Sequence, residues 1–388
     1  MTLELEEAGR EVYRGDTSVG WVLGGKENLG VGLKNYLGQS LDYICFLLHN
    51  SQIELMKKLS IGKLRGLQEL ANNDGVFNIC AMDHRRSLSR MIEGGHVVEG
   101  GTSYEEMSQR KLELCTHLAP HASAVLLDPL FGAAQSISHG ALPKSTGLLV
   151  SLEASGYTGP SEYRMTELEE GWSVEKIKRM GASAVKFLIY YRPDLIELAN
   201  KLMELVETVG QECQKYDIPF VIEPLSYPLG EETKNPAQFA AAKEQLVPKT
   251  TQHITALPVD MLKSEFPSDL RYNQDKAKLL DICQKLDKAS PVPWVVLSAG
   301  VSFDVFCQQV EIACKGGASG FLAGRAIWQE AMNIDDPKER AKILKTLGVE
   351  RLKKLTEIAA KHAVPWYKKL GLAQDELAET AEGWYRQY

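Results

Sequence analysis

The chain has 388 residues, a formal net charge of -7, 44% hydrophobic and 24% charged residues. This is the balance of an ordinary globular protein with ample material for a core. The acidic excess excludes bulk affinity for nucleic acid or an anionic membrane surface, so an anionic ligand has to be held by a few local Lys or Arg side chains. The 7 cysteines are scattered and form no CxxC pair, which predicts reduced thiols and a cytoplasmic protein.

Residues 1–60 begin acidic, with no apolar core of the kind a signal peptide needs. They pass through a Gly-rich stretch (GWVLGGKENLGVGLKNYLG) into a helical run, Ser40 to Leu59. The apolar YICFLL within that run is far too short to span a bilayer. We read 1–60 as an N-terminal extension that packs on the rest of the chain or on a neighbouring subunit.

From Phe77 onward, short apolar runs alternate with amphipathic stretches. The runs are Phe77–Asp83, Ala124–Asp128, Gly147–Glu153, Ala184–Tyr191, Pro219–Leu225, Asp260–Phe266, Trp294–Gly300 and Gly320–Ala326. Each has the length and composition of a parallel strand buried on both faces. Between them, Trp172–Ala182 is helical with Ser173 as N-cap, and Leu195–Tyr216 repeats apolar residues at helical spacing. Phe303–Ala318 does the same and stops at Gly316-Gly317, a helix C-terminal signal. Eight strands alternating with helices predict a (β/α)8 barrel over residues 61–388, with extra C-terminal helices after Pro337. A doubly wound open sheet is the competitor, but no GxGxxG follows any run.

Seven of the runs carry an ionisable or hydroxyl residue towards the carboxyl end, Asp83, Asp128, Glu153, Lys186, Glu223, Lys263 and Ser298, and Arg325 closes the eighth. Barrel active sites lie at the carboxyl ends of the strands, so these residues are expected to converge on one mouth. Lysine inside an apolar strand is rare because burying its charge is costly. Lys263 and Lys186 both occupy such positions. Strand alternation puts Met261, Lys263 and Glu265 on one face. An ion pair with Glu265 is one reading of Lys263; the other is an amine nucleophile for a ketone. Alternation does not decide which lysine has which role. Glu223, closing an apolar run, is a candidate general acid/base. Asp83 is placed to hold a substrate hydroxyl and Arg85 to clamp a phosphate. Gly300 and Gly324, in the turns after the last two strands, allow close approach of backbone amides to a phosphate, and Arg325 adds charge. His84 is the one histidine at a strand tip. No HExxH or metal-loop spacing occurs, so neither metal nor cofactor is expected.

The motifs AMDHRRSLSRMI, VLLDPLFG, GLLVSLEASGY, WSVEKIKRMGASAVKFLIYY, PFVIEPLSY, VDMLKSEFP, VVLSAGVSFDVF and GRAIW occur in this order and resemble the class I tagatose-1,6-bisphosphate aldolases. The likeness covers roughly Ile61 to Trp366. It implies a Schiff-base aldolase cleaving a ketose bisphosphate to dihydroxyacetone phosphate and glyceraldehyde 3-phosphate. By position it makes Lys263 the Schiff-base lysine, Glu223 the catalytic glutamate, Lys186 the assisting lysine, and Asp83 and Arg85 the first-strand pair. Ser298 and Arg325 become phosphate ligands. The sequence departs from that pattern at Arg86, where the family has glycine, and at Leu130, where an acidic residue is usual. Both changes concern the far end of the sugar, where a sulfonate, as in sulfofructose-phosphate aldolases, is open as an alternative to the second phosphate. A sugar-phosphate isomerase or epimerase on the same barrel needs no buried lysine, and a non-catalytic scaffold needs none of these residues. The expected partner is a phosphorylated sugar, with a second copy of the chain through the added termini.

Overall fold

The computed structural model describes residues 59–94 and 101–374, the pairs Arg14–Gly15 and Ser18–Val19, and Leu377, 382–386 and Tyr388. The chain divides into two compact units, Met1–Leu48 and His49–Tyr388. In the first, Arg14–Gly15 pairs antiparallel with Ser18–Val19. The Gly-rich stretch and the helical run expected before Leu59 lie outside the described residues.

The second unit contains a closed barrel of eight parallel strands. They are β1 (Phe77–Ala81), β2 (Ala124–Leu127), β3 (Gly147–Ser151) and β4 (Ala184–Tyr190). They continue as β5 (Phe220–Leu225), β6 (Met261–Ser264), β7 (Trp294–Leu297) and β8 (Gly320–Ala323). Each strand pairs with its successor, and β8 closes on β1 through Gly320 beside Phe77. All eight expected strands are present. Most end a few residues earlier than the apolar runs do, because the polar tips belong to the loops.

Alternation along the strands sorts two cores. Phe77, Ile79, Leu126, Leu149, Val221, Met261, Val295 and Leu322 fill the barrel interior. Cys80, Val125, Val150, Val185, Ile222, Leu262 and Val296 face outward against the helices. The helix Ile61–Leu70 lays Leu64, Leu67 and Leu70 under the interior and closes the floor. It approaches so closely that a Cβ on Gly66 would lie 2.4 Å from the Ser183 carbonyl oxygen. Lys63 on this helix is buried in an ion pair with Asp260 at 2.8 Å, and Asp260 also accepts the Phe220 backbone N–H at 2.8 Å.

The outer helices follow the expected pattern. Val174–Arg179 is capped by Ser173, whose hydroxyl accepts from the Lys176 N–H. Ile196–Lys215 buries Leu198, Leu202, Val206 and Val209 along one stripe. Phe303–Lys315 ends at Gly316, with Gly317 at φ 115°. The C-terminal helix Val349–His362 packs beside Phe303–Lys315 and the β1 and β8 strands. Among the described residues no helix is long and apolar enough to cross a membrane.

Candidate active site

The inward positions just above the apolar interior carry charge. Lys186 on β4 shares its face with Ala184, Glu223 on β5 with Val221, and Lys263 on β6 with Met261. Asp83 and Glu153 continue the inward positions of β1 and β3 by one further step of two. Five side chains thereby meet at the mouth. Lys263 Nζ lies 2.8 Å from Glu223 Oε2. Lys186 Nζ lies 2.8 Å from that same oxygen, 2.6 Å from Glu153 Oε1 and 3.0 Å from Asp83 Oδ2. Glu265, the other partner considered for Lys263, instead pairs with Lys243 at 3.0 Å and accepts from Ser226.

The two lysines are therefore in different situations. Burial works against the charge on Lys186, but Asp83, Glu153 and Glu223 together hold its ammonium well above the usual lysine range. Burial would favour a neutral Asp83, yet Lys186 and Lys263 keep its carboxyl well below the usual carboxylate range. Lys186 is thus a fixed cation inside three carboxylates. Lys263 touches a single carboxylate and shares it. A proton passing from Lys263 to Glu223 leaves that oxygen still bonded to Lys186.

The opposite rim, after β7 and β8, is built for close approach. Ala299 has φ 47° and Gly300 φ 78°, so two successive residues are left-handed in the turn Ser298–Val301. Ala299 pays steric strain there that glycine would not, the kind of strain that clusters at ligand sites. The Arg325 guanidinium lies over Gly300, where an added Cβ would come within 3.1 Å of its Cζ. Arg325 opens the helix Arg325–Met332 and has no carboxylate within ion-pair distance among the described residues. A Cβ on Gly324 would stand 2.6 Å from His84 Cε1 and 2.8 Å from the Ala81 carbonyl oxygen, so glycine is required for the β8 turn to meet β1. His84 stacks edge-on against Trp328 at 5.1 Å. Its pKa is lowered to about 3, chiefly by burial; Asp83 opposes the shift, and Arg325, Lys263 and Lys111 add to it.

Two expected site residues behave differently from their sequence reading. Asp128 does not face the mouth. It is fully buried against Lys111, and accepts the Leu130 and Phe131 amides. Lys111 in turn donates to the Met82 carbonyl at 2.7 Å, which fixes the backbone beside Asp83. Arg85 is buried with both terminal nitrogens engaged, one on Glu169 Oε2 at 2.7 Å and one on the Glu153 carbonyl at 2.6 Å. In this structure it ties β1 to the loop after β3. Glu153, expected at the mouth but given no role of its own, lies there against Lys186.

Among the described residues no group of three or more His, Cys, Asp and Glu side chains has a geometry for a metal ion. A surface groove of about 890 Å³ between Ser302–Asp304 and the helix Val349–His362 contains none of the mouth residues.

Residues 77–330 match the model of the DeoC/LacD family aldolases. The chain is 32% identical over 343 residues to the tagatose 1,6-diphosphate aldolase of Listeria monocytogenes, covering 82% of this chain and 98% of that one. It is 31% identical over 325 residues to the enzyme of the same name from Lactococcus lactis, covering 79% and 98%. Among solved structures, a Schiff base-forming fructose-1,6-bisphosphate aldolase shares the fold at a TM-score of 0.51 and 17% identity, over 76% of this chain and 99% of that one. A fructose-bisphosphate aldolase from Plasmodium falciparum does so at 0.60 and 13%, over 79% and 97%.

Proposed function

The chain belongs to the DeoC/LacD family of aldolases, and on that premise we propose that it is a metal-independent class I enzyme cleaving a ketose 1,6-bisphosphate, such as tagatose or fructose 1,6-bisphosphate, to dihydroxyacetone phosphate and glyceraldehyde 3-phosphate. The observation that carries the reading is the pair of buried lysines bridged by one Glu223 oxygen. An isomerase or a scaffold has no use for that arrangement, and it costs desolvation to keep.

Lys263 passes its proton to Glu223 and attacks the C2 ketone, forming a carbinolamine. Glu223 returns the proton to the C2 oxygen as water leaves, giving the iminium. A base takes the C4 hydroxyl proton, the C3–C4 bond breaks, and its electron pair flows into the iminium to leave an enamine. Glyceraldehyde 3-phosphate departs. Protonation at C3 and hydrolysis release dihydroxyacetone phosphate and the free amine. Lys186, held cationic, steadies the oxygens of the reacting carbons, and Asp83 orients a hydroxyl. The C1 phosphate sits on the turn at Ser298 and Gly300, under Arg325 and beside Gly324, where barrel phosphate sites are commonly found. Cytoplasmic location and a homo-oligomer belong to the same reading; sedimentation of the full chain tests the latter.

The direct test is reduction with sodium borohydride, with and without dihydroxyacetone phosphate, followed by peptide mass spectrometry. The expected result is a substrate-dependent adduct on Lys263 that is absent from a folded Lys263→Met variant. An adduct on Lys186 reverses the two lysines. Active enzyme with no adduct ends the Schiff-base reading.

A further inference from the structure

The loop after β3 leaves the barrel at Glu153, crosses the tips of β4 and β5, and returns through two isolated antiparallel bridges, Thr158 with Met165 and Glu153 with Leu168. At its far end Arg164 rests on three aromatic rings. Its guanidinium carbon lies 4.5 Å from the ring centre of Tyr227, 4.8 Å from Tyr157 and 5.7 Å from Tyr190. Tyr157 and Tyr190 meet edge to face at 5.1 Å. Tyr190 sits on β4 two inward positions above Lys186, and its hydroxyl lies in the fields of Glu223, Lys186 and Glu153. The buried Tyr227 hydroxyl lies near the Arg164 backbone without closing a hydrogen bond of normal geometry.

Arg164 has no carboxylate partner among the described residues. Only its Nε is engaged, donating to the Ser161 carbonyl at 2.9 Å. Aromatic faces hold a guanidinium in place without neutralising it, and they leave its N–H edge open for a planar grip on an oxyanion. A second cation, this one exposed, lies beside the same loop: Arg86 approaches the turn at Gly156, where an added Cβ would be 2.6 Å from its Nη1. In a closed ring of eight strands, β3 faces β7 and β4 faces β8. The Arg164 cluster therefore stands across the mouth from Gly300 and Arg325, with Lys263 and Glu223 on the strands between.

We propose that Arg164, oriented by Tyr157, Tyr190 and Tyr227 and assisted by Arg86, forms a second anion subsite that grips the terminal phosphate or sulfonate of the ketose. This rests on the aldolase reading and adds to it the residue that selects for a doubly anionic substrate. Arg85, bonded to Glu169 and to the Glu153 carbonyl, acts as the tether that holds the loop in place.

The test is calorimetric binding of hexitol 1,6-bisphosphate and hexitol 1-phosphate to the full chain. Neither has a carbonyl, so a failure of the Schiff-base chemistry shows in the borohydride experiment and not here. The wild type is expected to bind the bisphosphate more tightly. Arg164→Met is expected to lose roughly 10- to 100-fold on the bisphosphate, as for a charge-assisted pair, and nothing on the monophosphate; Arg164→Lys recovers part of the loss. An equal loss on both ligands, in either variant, marks a merely structural loop and overturns the proposal. So does an unchanged affinity, or a wild type that does not discriminate. A 6-sulfonate analogue of the bisphosphate distinguishes the two anions: whichever wild type binds more tightly, and Arg164→Met binds more weakly, is the occupant.

Discussion

The floor and the mouth of the barrel both bury lysine, and they do it in opposite ways. At the floor, Lys63 meets one carboxylate, Asp260, whose remaining acceptor capacity is taken by the Phe220 amide. One cation faces one anion, and the backbone completes the set. At the mouth, two lysines share three carboxylates, and a single oxygen of Glu223 serves both. The mouth sets three carboxylates against two lysines, and Arg325 sits close enough to offset the surplus. Buried ion pairs are poor evidence of stabilisation in general. The contrast lies in connectivity: the floor is a closed pair, and the mouth is a shared one of the kind the proposed proton relay needs.

That contrast can be broken from either side. Glu223→Gln removes the shared acceptor but keeps the shape. Turnover is expected to fall roughly 10²- to 10⁴-fold, the range for losing a general acid/base, with the thermal midpoint little changed. Steady-state cleavage of fructose or tagatose 1,6-bisphosphate beside a thermal melt reads both. A variant that loses its fold and not its chemistry would make the mouth a second structural pair. Asp260→Ala is the counterpart at the floor. It strands the buried Lys63 and the Phe220 N–H, and is expected to cost about 3–5 kcal/mol of stability. Denaturant unfolding measures that loss, while turnover per folded molecule is expected to stay normal.

The sequence made the barrel legible because each strand is a short apolar run bounded by polar residues, and eight such runs in alternation admit few folds. The lysines were legible for the same reason: Lys186 and Lys263 interrupt apolar runs that have no structural need of them. Alternation grouped Lys263 with Met261 and Glu265 but could not supply its partner: Glu265 is its near neighbour along the chain, whereas Glu223 comes level with it only through the β5–β6 register, which pairs Val221 with Met261. Asp128 was misplaced because nothing in the sequence marks its partner: Lys111 lies on the helix Tyr104–Leu118 and is wholly buried. Arg164 left no trace at all. It lies in an irregular loop with no periodicity, and its three tyrosines come from separate segments.

His84 offers the smallest test and the one most specific to the mouth. Its ring is held neutral, with a pKa lowered to about 3, because burial and the cations Arg325, Lys263 and Lys111 outweigh Asp83. In the unfolded chain a histidine takes up its proton near pH 6.5. Above that pH both states are neutral and His84 contributes nothing to the pH dependence. As pH falls from about 6.5 towards 3, only the unfolded chain gains the proton, so folding loses stability, at most about 2 kcal/mol by pH 5. His84→Gln removes this liability. Its thermal midpoint is expected to decline less than that of the wild type between pH 7 and pH 5, after which the depressed Asp83 carboxyl takes over as the acid-sensitive group below about pH 4. Parallel declines in the two proteins would mean that His84 is protonated within the fold, and that the positive charge of the mouth is more dispersed than the clustering of Arg325 and Lys263 around it implies.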